Sequence, residues 1–593
     1  MASAVSKALV NARQKCLSEE EAYWDPKPDY SRPISARNEA AALSWLLDHQ
    51  AVVCRGGAAD VAELHALCAD YCARLGALAP PEQQRQQGVQ AEAGGEEAGG
   101  EDASSSGRTF EEASAEAALK RWCTEKGLKA MGSPALFAAA PAPDAAAAAA
   151  GGGGGSSCSS GAAAAAAAPP PLRGLRADSA VGPGDVVLHV PMELLISYES
   201  AKESDLGKVL AALPLGLGDD SIALIWTCVE RHEPEAAAAA WWASLPQRFA
   251  TVLSASDADV EAALAGSPLA AEAAEARRHL AEAFEASKPA FESLCKAYPD
   301  YFQPHWFSWE SYLWAAELWY SYGIQVQVAA GDIRTCLVPY LGLMNHHPLP
   351  HVVHFSKVDA ASGGLRVRAF RPCAAGRQLF LSYGPYSNSK LLLFYGFALP
   401  DNPVDEVELG PLQMPPGPTG TDRRGLLAAA GTGLEGHRLR LPPPGAPPSA
   451  CMSPSLLAAA RVLAAPPDQL KALKALPPAQ LKALLTAPLR PAAGGQAAAG
   501  KEGDAVASAA AAAAAAARDA AAAALLLRRM AALSEPAAAC AARLQKRAAA
   551  GAAEEEEGAS TLPHFAGIYI SGVVDILEAT QRYLSSAAAA AST

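Results

Sequence analysis

Nowhere in this chain do two cysteines form a C-x-x-C pair. The 12 stand singly at 16, 54, 68, 72, 123, 158, 228, 295, 336, 373, 451 and 540. That spacing gives a zinc site no support, so no metal is expected. Scattered thiols fit a reducing compartment. The expected setting is therefore intracellular and soluble, cytoplasmic first, with chloroplast stroma or nucleus as alternatives. A basic excess is missing too: 48 Lys and Arg stand against 62 Asp and Glu, a net charge of −14. No basic stripe interleaves with aromatics, so nucleic acid is not an expected partner, since its affinity comes mainly from neutralised phosphates. A basic protein partner is compatible with such a surface. Apart from polyalanine, no run reaches the roughly 20 apolar residues of a membrane span. The first acid is Glu19, and Ser, Lys and Arg precede it. This is mildly like an organelle transit peptide, although an ordinary N-terminal helix is the plainer reading.

What is present is unevenly spread. The length suggests two to four domains. The 10 Trp, 15 Tyr and 13 Phe fall mostly between Trp122 and Phe397, which locates the folded catalytic part. Residues 1–115 form an N-terminal region, with helical apolar spacing over 39–79 and a Gln-, Gly- and Glu-rich stretch behind it. The body at 116–400 carries a helix near Ala117–Lys126 and a low-complexity insertion at 134–171. A turn at Gly182-Pro183-Gly184 leads into the strand Val186–Val190. A helical insert at 205–320 shows apolar periods of three and four, and strands return at 324–328, 336–340, 352–358, 365–370 and 378–382. Residues 401–450 read as a Pro-rich linker. The stretch 451–593 reads as helical, interrupted by polyalanine, with a last helix near 565–584. The expected class is mixed α+β followed by an all-α domain.

Two segments carry chemistry: CLVPYLGLMNHHP at 336–348 and FLSYGPYSNSKLLLFYGFALP at 380–400. Alone, Asn345-His346 reads as an ordinary turn, Tyr383-Gly384-Pro385 as a strand exit, and Tyr395-Gly396-Phe397 as a core aromatic before a helix cap. Together they resemble the SET domain of the Rubisco-methyltransferase type. Pro339, Asn345 and His346 match one half of its signature. Ser382, Tyr383, Gly384, Ser387, Asn388, Leu391, Leu392, Tyr395, Gly396 and Phe397 match the other, at the family's spacing. RGL at 173–175, GPGDVVLHVP at 182–191, WWASLPQRF at 241–249 and WESYLWAAELWYS at 309–321 resemble further landmarks in the same order.

The resemblance implies a SET-domain fold with a helical substrate-binding domain behind it. It implies an S-adenosyl-L-methionine-dependent protein N-methyltransferase, lysine as acceptor, a protein substrate outside the histones, and a monomer. Asn345 and His346 would hold the cofactor, and Arg173, Gly174 and Leu175 would bring backbone against it. Tyr383 would be the catalytic channel tyrosine, also touching the cofactor. Tyr395, Phe397 and Tyr322 would line the substrate channel. The chain departs from the pattern at three points: Leu172 replaces a glycine, Gly342 an aspartate, and Tyr322 an arginine that usually lies by the cofactor. These changes weigh toward the alternative of a catalytically weak SET-fold interaction protein. Histidine methylation is the other alternative.

Overall fold

The computed structural model describes residues 4–17, 30, 36–50, 60–68, 110–137, 172–348, 350–353, 357–442, 446–489, 502–551 and 561–589. The low-complexity insertion expected at 134–171 starts later than expected, because 134–137 belong to the strand Gly132–Phe137, and 138–171 lie outside the described residues. The fold is mixed α+β, in two compact units: Met1–Phe249 with Arg278–Pro385, and Ala250–Arg277 with Tyr386–Thr593.

The first unit is built on strands whose sequence dictates their pairing. At the expected turn, Gly184 takes φ +91° and the Asp185 carboxylate accepts the Gly182 N–H at 2.7 Å. The turn launches Val186–Pro191, with Val187, Leu188 and Val190 buried. We number the strands β1 (Lys129–Ala130), β2 (Gly132–Phe137), β3 (Leu172–Ala177), β4 (Val186–Pro191), β5 (Ile196–Ser197), β6 (Ile324–Ala329), β7 (Asp332–Leu337), β8 (Asn345–His346), β9 (Val352–Val353), β10 (Val358–Asp359), β11 (Gly364–Ala369) and β12 (Gln378–Leu381). The main sheet has the order β1-β4-β11-β9-β12-β3-β2, with β8 added on β12 and β10 on β11. A smaller antiparallel sheet, β5-β7-β6, receives the two ends of the helical insert.

Two expected strands differ from what the alternation suggests. The strand expected over 336–340 lies earlier, at Asp332–Leu337, and it stops there because Tyr340 adopts φ +72° and sends its buried hydroxyl to the Gly132 carbonyl at 2.9 Å. The strand expected over 352–358 is two short pieces, β9 and β10, on either side of 354–356, which lie outside the described residues.

Within the insert, the helix Trp309–Tyr322 starts at a Ser308 cap and buries Tyr312, Trp314 and Trp319 in the same core as Trp241 and the strands. The Trp319 indole N–H donates to Thr227 Oγ1 at 2.9 Å, pinning this helix to Asp219–His232.

In the second unit, the Pro-rich stretch carries a helix at Gly420–Ala430 and a two-stranded ribbon, Val407–Glu408 with Arg438–Leu439. The polyalanine stretch does not interrupt the helices there. Residues Glu502–Gly551 form one helix, whose Ala522, Ala523, Leu526 and Met530 are buried and which packs against Leu562–Ala589. A buried ion pair, Arg461 with Asp519 at 2.8 Å, ties that long helix to Pro454–Ala464. Arg461 also donates to the carbonyls of Leu485 and Ala487, which satisfies the buried charge.

Every tryptophan among the described residues falls in the first unit, so tryptophan fluorescence reports the unfolding of that unit. Thr227→Val keeps the volume but strands a buried indole N–H. It is expected to cost about 1–3 kcal/mol, seen as a lower urea midpoint by tryptophan fluorescence. An unchanged midpoint would mean the bond contributes nothing.

Candidate functional site

The site begins with a change of pairing along β12. Its first half lies antiparallel to β3, with Gln378 opposite Arg176 and Leu379 opposite Leu175. Its second half lies parallel to β8, with Phe380 opposite Asn345 and Leu381 opposite His346. The Asn-His loop and the Ser-Tyr-Gly strand end, 37 residues apart by the separation of His346 and Tyr383, are thereby locked side by side. The Tyr383 backbone N–H donates to His346 Nδ1 at 3.0 Å, and the two rings lie 5.2 Å apart. The Tyr383 hydroxyl donates to the Met344 carbonyl at 3.0 Å.

Asn345 reaches the other way. Its side-chain amide donates to the Arg173 carbonyl at 2.7 Å, joining β8 to the start of β3. A Cβ on Gly174 would run into the Gln378 side-chain amide and lie 2.9 Å from Asn345 Nδ2, so any larger residue would have to displace both amides. Gln378 Nε2 is buried and finds no acceptor among the described residues. Leu175 is fully buried in the core, a packing residue behind this wall, whereas the departing residue Leu172 is half-exposed at the strand's start. The Arg173 guanidinium donates to the Ser244 carbonyl.

The departures at 322 and 342 meet in space. A Cβ on Gly342 would lie 2.8 Å from Tyr322 Cδ1 and 3.2 Å from Trp241 Cη2. Tyr322 stacks edgewise on Trp241 and Phe249, with centroids 6.2 and 6.0 Å away. The wall here is aromatic and uncharged.

Tyr395 and Phe397 belong to the second unit. Their rings lie 6.3 Å apart, with Tyr386 5.9 Å from Tyr395, at the end of the helix Asn388–Tyr395. That helix is capped by Gly396 at φ +78°, where a Cβ would strike the Ala250 carbonyl. The motif residue Asn388 is structural. It is buried and bonded to the Leu399 backbone and to the Asp405 carboxylate. Gln378 and Asp405 went unnoticed in the sequence because each takes its place through distant contacts, and Trp241 was noticed only as part of the segment 241–249. Among the described residues, no group of three or more His, Cys, Asp or Glu is placed to hold a metal.

Burial pushes the Tyr383 phenol well above its ordinary range, with neighbouring Tyr322 adding to the effect, so it stays protonated at neutral pH. Burial and then His347 push His346 down to about 4. Burial, then Arg371 and His347, push His351 down to about 3. Both imidazoles are neutral near pH 7.

A histidine whose folded pKa lies below its unfolded value of about 6.5 binds fewer protons folded than unfolded. Its stabilising contribution is complete above that value and is lost as pH falls from 6.5 toward the folded pKa. The first unit should lose about 1–2 kcal/mol per histidine between pH 7.5 and 5, read as a falling urea midpoint of tryptophan fluorescence. Asp405, pushed up to about 6 by burial, has the opposite sign in the second unit: it gains stability as pH falls through 6. A tryptophan midpoint that is flat or rises over this range would contradict the burial of the two histidines.

No family model matches the chain. SET domain-containing protein 4 of Mus musculus is 26% identical over 243 residues, 39% of this chain and 53% of that protein. The ribosomal lysine N-methyltransferase set10 of Schizosaccharomyces pombe is 32% identical over 105 residues, 17% of this chain and 19% of that protein. The actin-histidine N-methyltransferase of Dasypus novemcinctus is 24% identical over 253 residues, 40% of each. The chain thus spans about half or less of the curated relatives it matches. A crystal structure of the SET domain of LSMT, bound to lysine and AdoHcy, superposes with a TM-score of 0.54 at 16% identity, covering 80% of this chain and 91% of that one. Strand order, the Asn-His junction and this superposition together identify the fold as that of a SET domain of the Rubisco LSMT type.

Proposed function

We propose that this chain is an S-adenosyl-L-methionine-dependent protein N-methyltransferase whose acceptor is a lysine amine in a non-histone protein. The observation that carries the reading is the junction at which Tyr383 is held by His346 through its N–H and by Met344 through its hydroxyl. The residues around it suit the cofactor. Gly174, lacking a Cβ, lets the strand backbone lie close against the Asn345 and Gln378 amides, and the unpartnered Gln378 Nε2 is a donor left for a ligand. When bound, the cofactor supplies a methyl group on a positively charged sulfur.

The chain's own residues do the rest. A lysine amine has an ordinary pKa of about 10.4, so presenting it neutral near pH 7 costs roughly 4–5 kcal/mol. Removing water from around it lowers that cost. Aromatic faces such as Tyr383 and Tyr322 attract a cation without offering it a counter-charge. His346, neutral at this pH, adds no repulsion. Tyr383 keeps its own proton and so orients through its ring and hydroxyl rather than acting as a base. The amine proton therefore leaves to water. Holding donor and acceptor in line is the remaining requirement.

Lysine is favoured over histidine by the 32% identity to the ribosomal lysine methyltransferase, against 24% to the actin-histidine enzyme. A second reading, a SET-fold interaction protein, is favoured by the closed Gly342–Tyr322 contact. Calorimetry with S-adenosylmethionine separates the two, because a chain that binds none is not the enzyme. Tyr383→Phe should keep cofactor affinity within about threefold and lower methyl transfer roughly a hundredfold. Full activity in that variant would remove Tyr383 from the proposed role. Mass spectrometry of an extract incubated with the chain and labelled donor should place the label on lysine, and label on histidine would overturn the choice of acceptor.

A further inference from the structure

The side chain of Arg173 has no part in the chemistry described so far. Its backbone sits at the heart of the site, since its carbonyl receives Asn345 and the next residue is the closely packed Gly174. Its guanidinium extends to the last residue of the helix Ala239–Ser244, the helix that carries Trp241, and donates to the Ser244 carbonyl. A guanidinium offers five N–H donors in a rigid fork, and this half-buried one meets a single acceptor and no carboxylate among the described residues. Of the side chains that shape the junction, Asn345 and Trp241 have no acidic or basic group, burial keeps the Tyr383 phenol protonated, and His346 is neutral near pH 7. Arg173 thus carries an unmatched positive charge to the end of the helix that bears Trp241, with its backbone in the site. A half-buried cation with spare donors is completed by an anion, and a planar carboxylate is the shape its fork pairs with twice.

We propose that the Arg173 side chain is the ion-pair partner of the donor's α-carboxylate, and so selects for a cofactor that carries an intact amino-acid end. This rests on the S-adenosylmethionine reading above. The competing explanation is that Arg173 only caps the C-terminal end of the helix Ala239–Ser244, where a cation is favourable in any case.

Calorimetry of the full chain with S-adenosylmethionine and with decarboxylated S-adenosylmethionine distinguishes these. The second ligand keeps the sulfonium and the adenosine and lacks only the carboxylate. The unaltered chain should prefer the intact ligand by roughly tenfold to a hundredfold. Arg173→Met should erase that preference by weakening the intact ligand alone, leaving the decarboxylated one within about threefold. Arg173→Lys keeps the charge but loses the fork, so it should show an intermediate preference; it carries the comparison should the Met variant not fold. Equal weakening of both ligands by Arg173→Met would leave only the helix-capping role. An unaltered chain that binds both ligands equally, or a Lys variant with undiminished preference, would also overturn the proposal. Binding of neither ligand to the unaltered chain would overturn the cofactor reading together with it.

Discussion

The structure depends on two residues of parallel pairing. β12 runs antiparallel to β3 and then, without a break, parallel to β8. Parallel neighbours cannot be joined by a tight turn, so Asn345-His346 must leave β7, pass through the Tyr340 kink, and come alongside β12 before the chain returns to it. Side chains alternate along a strand, so a slip of one residue in this short register would send His346 where Asn345 belongs. The fold guards the register from both ends. His347 and His351 donate their backbone N–H groups to Leu381 and Phe380, and the Tyr340 hydroxyl anchors the entering loop to β2. A non-glycine residue held at positive φ costs energy, and here a buried hydrogen bond offsets it.

Much of this could be read from residues alone. The alternation at Val186–Val190, the turn at 182–184 and the helical periods across 205–320 are local, and local rules hold there. The pairing of the two motifs was legible as a resemblance, though neither half means much by itself. What escaped were features set by distant contacts. Alternation across 336–340 suggests an unbroken strand, because nothing nearby announces that Tyr340 will turn toward Gly132. Gln378 reads as one more strand residue until the pairing with β3 brings it to Gly174. The alanine-rich stretch reads as filler by composition. Its packing depends on the Leu526 and Met530 stripe meeting a partner helix beyond a segment that composition cannot interpret. Asn388 was legible as a motif residue, but its work as a clamp on Asp405 appears only once both are placed.

The two ends of the signature also do different kinds of work. His346 and Tyr383 meet, and Asn345 reaches to the Arg173 carbonyl, through groups that can hold a ligand or orient a reacting atom. Ser387, Asn388 and Gly396 serve the backbone. They start and end one short helix and fasten it to the loop at Leu399–Glu406. A motif of this length therefore mixes chemistry with construction, and burial together with hydrogen-bond partners sorts one from the other.

The contact between Gly342 and Tyr322 constrains how this protein could change over evolutionary time. An acidic side chain cannot enter at 342 while the Tyr322 ring occupies that space, and shrinking Tyr322 alone opens a gap against Trp241 and Phe249. Each single step is a loss, and only the pair together returns to a charged wall. Position 342 can thus accept a side chain only when position 322 gives up its ring, and the two positions form one steric unit.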